Sequence, residues 1–243
     1  MLLAVWELAA VAMLAADVPL ATSKLPAPHV IVGAAVDRAA LLGASLWVTA
    51  RGALIGLFFG TLLGVGVALV VAQSRWLEDA AYPFIIGGQM IPTIALAPII
   101  LTALRNPTAT RVVVATYISF FAISLGMLKG LKSTTHDALE LMRSYNASRS
   151  QVYRKVRVPG AVPFFFAGLK VAAPLAVVGE IVVELTGATT GLGYLILVTQ
   201  YYGPTYAPLF WASMIVTLLL GLAFYLGAAR LERLVSPWQQ EFR

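Results

Sequence analysis

The feature that most constrains this chain is a set of long runs without a charged residue. Four such runs occur, at residues 52–74, 80–104, 112–128 and 209–229. A helix needs roughly 17–25 apolar residues to cross the hydrocarbon core of a bilayer, so each run predicts a membrane-spanning helix. A soluble domain is about one-quarter charged. Only 12% of these 243 residues are Asp, Glu, Lys or Arg, which also favours a membrane protein.

Two further spans complete the predicted bundle. One covers residues 161–183, although it contains Lys170 and Glu180, and a shorter one covers residues 2–16. Helices satisfy their own backbone hydrogen bonds, as the bilayer interior requires. The sequence therefore predicts an all-α, polytopic transmembrane bundle of about six spans, with residues 1–243 forming a single domain.

Glycines recur at every fourth position in the first of the uncharged runs. They are Gly52, Gly56, Gly60 and Gly64. This spacing forms a smooth strip along one face of a helix, which allows a second helix to approach closely. We expect the strip to serve packing and not chemistry.

Positive charge is concentrated in one loop, residues 129–159, called the basic loop below. Seven Lys or Arg residues lie between positions 129 and 158, and Arg75, Arg230, Arg233 and Arg243 fall on the same predicted side of the membrane. Cytoplasmic loops of membrane proteins carry an excess of Lys and Arg. This bias predicts a cytoplasmic basic loop and places both termini in the cytoplasm. The net charge of +6 thus indicates membrane topology, and no nucleic-acid partner is expected.

The basic loop contains start and stop signals for two short helices. Asp137, followed by Glu140, has the character of an N-cap and an acidic first turn. Asn146 is suited to a left-handed helix end. Ser148 and Gln151 have the spacing of a capping box. Pro159 is expected to end the second helix because it disfavours helix at the residue before it.

This loop resembles the EAA loop of ATP-binding-cassette (ABC) importer permeases. The resemblance rests on ALELMRSYNASRSQVYRKVRVPGAVPFFFAGLK, which begins at Ala138. It extends to LPAPHVIVGA (25–34), MIPTIALAPII (90–100) and ELTGATTGLGYLI (184–196), in the order typical of the nitrate/sulfonate/taurine branch. The glycine usual in the turn is replaced by Asn146, and the usual leucine before proline by Val158.

The resemblance implies a type I ABC importer permease fold and a set of partners. These are two copies of an ABC ATPase, a second permease copy forming a homodimer, an extracytoplasmic substrate-binding protein and the lipid bilayer. ATP and magnesium would be bound by the ATPase, so no cofactor is expected in this chain. The localisation implied is the bacterial inner membrane. The residues expected to contact the ATPase are Asp137, Glu140, Arg143, Ser144, Tyr145, Asn146, Ala147, Ser148 and Arg149.

Candidate residues for the substrate pathway are those that are unusual within a span. Glu180 and Glu184 lie one helical turn apart, and ionisable groups in a membrane usually face a cavity or a partner. We expect Glu180 to face the central pathway, with Glu184 beside it. Pro92, together with Pro98, is expected to break the third span. Gln89 and Thr93 are the polar groups beside that break.

The sequence lacks the residues of an ATPase or a metalloenzyme. No G-x-x-x-x-G-K-[ST] motif occurs, and His29 and His136 have no metal-ligand spacing. Two other functions remain open at this point. One is a secondary transporter that uses Glu180, Glu184 and Lys170 as a proton relay, and the other is an intramembrane enzyme, for which we identify no catalytic residues. For an importer, the substrate would be a pyrimidine precursor of thiamine or riboflavin, or else taurine, a sulfonate, nitrate or bicarbonate.

Overall fold

The computed structural model of the protein describes residues 2–16 and 21–237, and every regular element within them is helical. Arg143 and the rest of the basic loop are included, whereas Arg243, counted above among the cytoplasmic charges, lies outside the described residues. The helices are α1 (Leu2–Ala15), α2 (Ala21–Lys24), α3 (Pro28–Asp37), α4 (Ala39–Val71), α5 (Arg75–Gln89), α6 (Thr93–Leu104), α7 (Pro107–Lys132), α8 (His136–Ser144), α9 (Arg149–Val152), α10 (Val158–Gly187), α11 (Leu192–Tyr201) and α12 (Ala207–Val235).

Four helical segments of the described chain are long and apolar enough to cross a membrane. They are Ala39–Val71, Pro107–Lys132, Arg149–Gly187 and Pro204–Val235, and the bent pair α5–α6 makes a fifth span if it is counted as one. The predicted sixth span is a helix, but α1 has only 14 residues. At 1.5 Å per residue it extends about 21 Å, less than the roughly 30 Å of the hydrocarbon core.

The third predicted span is broken between α5 and α6. The two helices meet at an angle of 96°. Pro92 is the N-cap of α6, so the predicted break at this proline is confirmed. Pro98, in contrast, lies inside α6, and the expectation that it also breaks the span is wrong. Proline has no N–H, so one carbonyl of the first turn receives no hydrogen bond from position 98. The helix loses this single bond and continues.

The centre of the bundle is formed by α4, α7 and α10. Glycines of α4 pack on α7: Gly56 lies against Ala115, Gly60 against Ser119 and Gly64 against Ile123. This order makes α4 and α7 parallel. The glycine face predicted from the sequence is therefore a contact surface between these two helices.

Helix α10 runs antiparallel to α7. Gly168 of α10 packs on the backbone of Ala122, and Gly179 packs on that of Ala115. The basic loop joins the end of α7 to the start of α10, so one end of the bundle carries this loop. We call it the loop end and the opposite one the far end.

Substituting alanine at Gly56 should destabilise the bundle. A Cβ at this position would overlap the Cβ of Ala115, whereas a Cβ at Gly66 of the same helix meets nothing within 4 Å. We expect Gly56→Ala to cost about 1–3 kcal/mol through overpacking and to lower the midpoint of thermal unfolding in detergent. Gly66→Ala is the control and should leave the midpoint unchanged or raise it slightly. Equal midpoints for the two variants would contradict the packing described here.

Candidate functional site

The first helix of the basic loop, α8, begins earlier than predicted. Its N-cap is Thr135, whose side-chain oxygen accepts a hydrogen bond from the N–H of Ala138. The expectation that Asp137 is the N-cap is therefore wrong: Asp137 lies within the first turn. Both residue types are good N-caps, and the chain enters the helix through the extended backbone of Thr135. Glu140 consequently lies in the second turn, where it faces His136 at 3.3 Å.

The turn after α8 has the geometry predicted for Asn146. This residue has φ 51°, in the left-handed region. The N–H of Asn146 donates to the carbonyl of Arg143 at 2.8 Å, and the N–H of Ala147 donates to that of Met142 at 3.0 Å. These two bonds form a Schellman motif, which satisfies carbonyls at the end of the helix. The turn is thus fixed by local hydrogen bonds.

The second helix of the loop starts with the predicted capping box. The N–H of Ser148 donates to the side-chain oxygen of Gln151 at 2.8 Å, and the N–H of Gln151 donates to the hydroxyl of Ser148 at 3.3 Å. The helix does not end at Pro159, contrary to expectation. A π-helical turn, Tyr153–Arg157, joins α9 to α10, and Pro159 lies in the first turn of α10. The helix continues through the proline because the π turn has already shifted the hydrogen-bond register: the N–H of Val158 donates to the carbonyl of Tyr153, five residues back, and the missing N–H of Pro159 removes a single bond.

The loop presents a surface of exposed polar and apolar side chains. Tyr145 is 75% exposed and Leu141 56%, although both are large and partly or wholly apolar. No residue of α8 or α9 is buried. Of the nine residues predicted to contact an ATPase, Ala147 is half-buried and the others are exposed. The structure thus brings this predicted set together on one solvent-accessible element whose turn and caps are formed by local hydrogen bonds.

Two ion pairs hold the helices together near the loop end. Lys132, the last residue of α7, pairs with Glu78 of α5. Lys170 of α10 donates to Glu232 of α12 at 2.7 Å. Lys170 is therefore engaged with α12 and not with Glu180.

The pathway candidates at the bend are accessible from outside the protomer. Gln89 and Pro92 are exposed and Thr93 is half-buried. Next to them, the hydroxyl of Tyr117 donates to the carbonyl of Gly88. The large apolar side chain of Met90 is 75% exposed. The break is thus an open surface of one protomer.

Glu184 has a different environment, because it is buried near the far end of α10. Its carboxylate accepts hydrogen bonds from the hydroxyl of Thr49 at 2.9 Å and from the N–H of Gly193 at 2.8 Å. The Thr49 oxygen in turn accepts the N–H of Leu192 at 2.9 Å. Gly193 and Leu192 are the first residues of α11, so α10 and α4 together supply the N-terminal cap of that helix.

Glycines make room for this buried carboxylate. Gly191 has φ 110°, which disfavours other residues, and a Cβ there would overlap Glu184. A Cβ at Gly193 would also meet Glu184, with 2.8 Å between the two Cβ atoms. The glycine pattern in ELTGATTGLGYLI therefore lets the chain fold back closely onto the glutamate that begins the motif.

Glu180 lies one turn from Glu184 towards the loop end. It is 0% exposed, and neither of its oxygens has a hydrogen-bond partner among the described residues. It packs on Gly52, where any side chain would overlap the carboxylate. Both glutamates are thus enclosed within one protomer, because Glu180 packs on Gly52 and Glu184 caps α11. The expectation that Glu180 faces the central pathway, with Glu184 beside it, is therefore not met in this conformation, whereas Gln89 and Pro92 lie on the surface. The predicted pathway set forms two groups in this conformation.

Arg111 and Thr49 were not identified from the sequence. The Arg111 guanidinium donates to the carbonyl of Thr190 at 3.2 Å and to its hydroxyl at 3.1 Å, and lies 3.9 Å from the Glu184 carboxylate. Arg111 could have been noticed in the sequence, because a basic residue stands there at the start of an apolar run. Thr49 could not, because a threonine among apolar residues is common and its partner Glu184 is 135 positions away.

Comparison with known proteins identifies similar chains. Residues 56–237 match the family described as "Binding-protein-dependent transport system inner membrane component". The formylaminopyrimidine transport permease protein ThiX of Halalkalibacterium halodurans is 35% identical over 89% of this chain and 86% of its own length. The riboflavin transport system permease protein RibX of Chloroflexus aurantiacus is 30% identical over 88% of this chain and 80% of its own.

A solved structure supports the same fold. The MetNI methionine ABC transporter in an inward-facing conformation superposes with a TM-score of 0.70 at 20% identity. The match covers 82% of this chain and 98% of that one.

Removing the Thr49 hydroxyl should loosen the start of α11. Thr49→Val leaves the N–H of Leu192 without its acceptor and removes a donor to Glu184. We expect a loss of about 1–3 kcal/mol, seen as a lower thermal midpoint and faster proteolysis near Leu192. Thr61→Val on the same helix is the control, because within the described part of the chain that hydroxyl donates only to the carbonyl of Leu57. If both variants had the same midpoint, the capping role of Thr49 would be refuted.

Proposed function

Because this chain belongs to the binding-protein-dependent transport system inner membrane components, the multi-pass permeases of ABC importers, we propose that two copies form the substrate path. Each copy would bind one subunit of a separate ATPase through the basic loop. The observation that carries this proposal is the fold of α8 and α9. Both helices are capped, and none of their residues is buried.

A secondary transporter is not supported. The family match and the similar permeases are those of ABC importers. The proposed proton relay is also discontinuous in the structure. Lys170 pairs with Glu232, whereas Glu180 and Glu184 lie more than two turns further along α10.

The proposed source of energy is ATP bound with magnesium in the partner ATPase. The sequence has no phosphate-binding loop of its own. In the proposed cycle, closure of the ATPase dimer draws the two basic loops together. Tyr145 and Leu141 are the large side chains available to fill pockets on the ATPase, and buried aromatic anchors dominate many interfaces. Movement of α8 would reach the membrane through Tyr153–Arg157 and α10, which form one continuous helical segment with α9.

The bend between α5 and α6 supports a location for the substrate path. Non-helical backbone at membrane depth is tolerated only where protein or water covers it, because lipid offers no hydrogen bonds. The exposed residues Gln89 and Pro92 at the bend therefore need a second copy or a water-filled cavity beside them. We propose that both are present: Gln89, Pro92 and Thr93 line the path along the two-fold axis. Glu180 and Glu184 would act from behind this lining by positioning α11.

The proposed orientation places the basic loop and the end of α12 in the cytoplasm, following the excess of Lys and Arg. The cytoplasmic N-terminus expected from the sequence would require α1, about 21 Å long, to cross the membrane as well. The far end, with α11, would then face the substrate-binding protein. The names of the two similar permeases favour a heteroaromatic substrate, either a pyrimidine precursor of thiamine or riboflavin.

Coupling is tested by changing the turn at Asn146. Proline fixes φ near −65° and has no N–H, so Asn146→Pro is incompatible with φ 51° and with the bond to Arg143. We expect this variant to insert into the membrane but to lose both co-purification of the ATPase and uptake. Asn146→Gly is the control and should retain both, because glycine adopts this conformation readily.

The assembly is measured in the same experiment. The mass of the unmodified complex should correspond to two permeases and two ATPases, and the permease alone should hydrolyse no ATP. Normal co-purification and uptake for Asn146→Pro would disprove the coupling role. ATP turnover by the permease alone would disprove the proposal that a separate subunit hydrolyses ATP.

Substrate class is tested by uptake into cells that produce this chain with its ATPase and binding protein. We expect accumulation of a radiolabelled aminopyrimidine or of riboflavin, and none of taurine. An ATPase variant unable to hydrolyse ATP is the control for active transport. Accumulation of taurine alone would refute the heteroaromatic assignment and leave the importer assignment intact.

A further inference from the structure

Two buried charged groups near the far end have polar atoms that lack hydrogen-bond partners among the described residues. They are both carboxylate oxygens of Glu180 and the Nε–H of Arg111. Leaving a buried polar group unsatisfied is costly, so native structures contain few of them and each needs an explanation. Here the two groups carry opposite formal charges, and Glu184, which lies near the guanidinium, is one turn of α10 from Glu180.

Arg111 is held mainly by a segment outside the helices. One terminal nitrogen donates to the carbonyl and hydroxyl of Thr190, which follows α10 and precedes α11. The other lies 3.9 Å from Glu184, beyond hydrogen-bond distance. Glu184 does not depend on this contact, because Thr49 and Gly193 already donate to it. Movement of Thr190 would therefore release the guanidinium while the cap of α11 could remain.

We propose that Arg111 exchanges Thr190 for Glu180 when residues 188–191 move during transport. The guanidinium is permanently charged, so once released it requires an acceptor in this low-dielectric site. Glu180 lies one helical turn from Glu184, which is 3.9 Å from the guanidinium, and no group among the described residues donates to it. The attraction between unit charges is strong where water is excluded. Glu180 is also one turn, about 6 Å along the axis, closer to the loop end than Glu184.

The exchange makes Arg111 and Glu180 positioning residues for the segment that precedes α11. In the conformation described, the bonds to Thr190 hold this segment against α7, at the expense of an unsatisfied Glu180. In the second conformation Glu180 is paired and the segment is free. Each state thus pairs Arg111 with either Thr190 or Glu180 and leaves the other residue without this partner. Two such states can interconvert when their free energies differ by only a few kcal/mol. Gly52 contributes by leaving room for the Glu180 carboxylate.

The test uses a single cysteine, because the natural chain has none. Thr189 is exposed and adjoins Thr190, so Thr189→Cys reports on the segment. The rate of maleimide labelling is measured on the complex with the ATPase, without nucleotide and trapped with ATP and vanadate. We expect the two rates to differ about fivefold or more, the lower range of coupling between linked sites. Adding Glu180→Gln should bring the ratio close to one and reduce uptake.

Glu232→Gln is the matched control. It also removes a glutamate charge from an intramembrane helix, but that glutamate pairs with Lys170 near the loop end. It should keep the labelling ratio of the parent. Gln has the shape of Glu without its charge. If Glu180→Gln left the labelling ratio and uptake unchanged, Glu180 would only fill space, and the proposal would be overturned. A parent whose labelling does not change between states would overturn it too.

The inference rests on the proposed function, because the trapped states in this experiment require the complex with an ATPase. ATP-driven uptake by the parent checks that assembly separately, so its failure can be told apart from failure of the exchange.

Discussion

The need to satisfy backbone N–H groups where lipid excludes water governs the far end of this protein. A helix that starts within the protein leaves its first N–H groups without partners, and in a membrane each costs several kcal/mol. Here α11 begins against α10, and the acceptors come from Glu184 and Thr49 on two other helices. This arrangement fixes the short helix relative to α4 and α10. A buried glutamate, expensive by itself, thereby becomes a structural cap.

The same requirement explains the contrast between the two groups of pathway candidates. Glu184 is buried because its carboxylate accepts a backbone N–H at the start of α11. Gln89 and Pro92 are exposed because they flank a break that one protomer does not cover. A single chain thus has an internally satisfied site at α11 and an incomplete surface at the bend. The second feature, not the charged residues, supports pairing with another copy.

Local chemistry made much of the basic loop predictable. The left-handed turn at Asn146 and the capping box at Ser148 depend on residues within five positions of each other, and the structure has both. The spacing of glycines likewise predicted the face of α4 that meets α7. Long-range contacts could not be predicted in this way. Nothing near Thr49 indicates that its partner is Glu184, and the choice of Thr135 over Asp137 as N-cap depends on how the chain leaves α7.

The π-helical turn Tyr153–Arg157 sets the angular relationship between the basic loop and the membrane. An α-helix rotates about 100° per residue, and a π turn accommodates one extra residue without displacing the helices on either side. The faces of α9 and α10 are therefore out of phase with a regular helix. If the same residues formed α-helical hydrogen bonds, α8 and α9 would rotate about a quarter of a turn around the α10 axis, whereas removal of one residue would restore the α-helical register and leave both helices in place. The hydrogen-bond register of this turn therefore decides which way Tyr145 points.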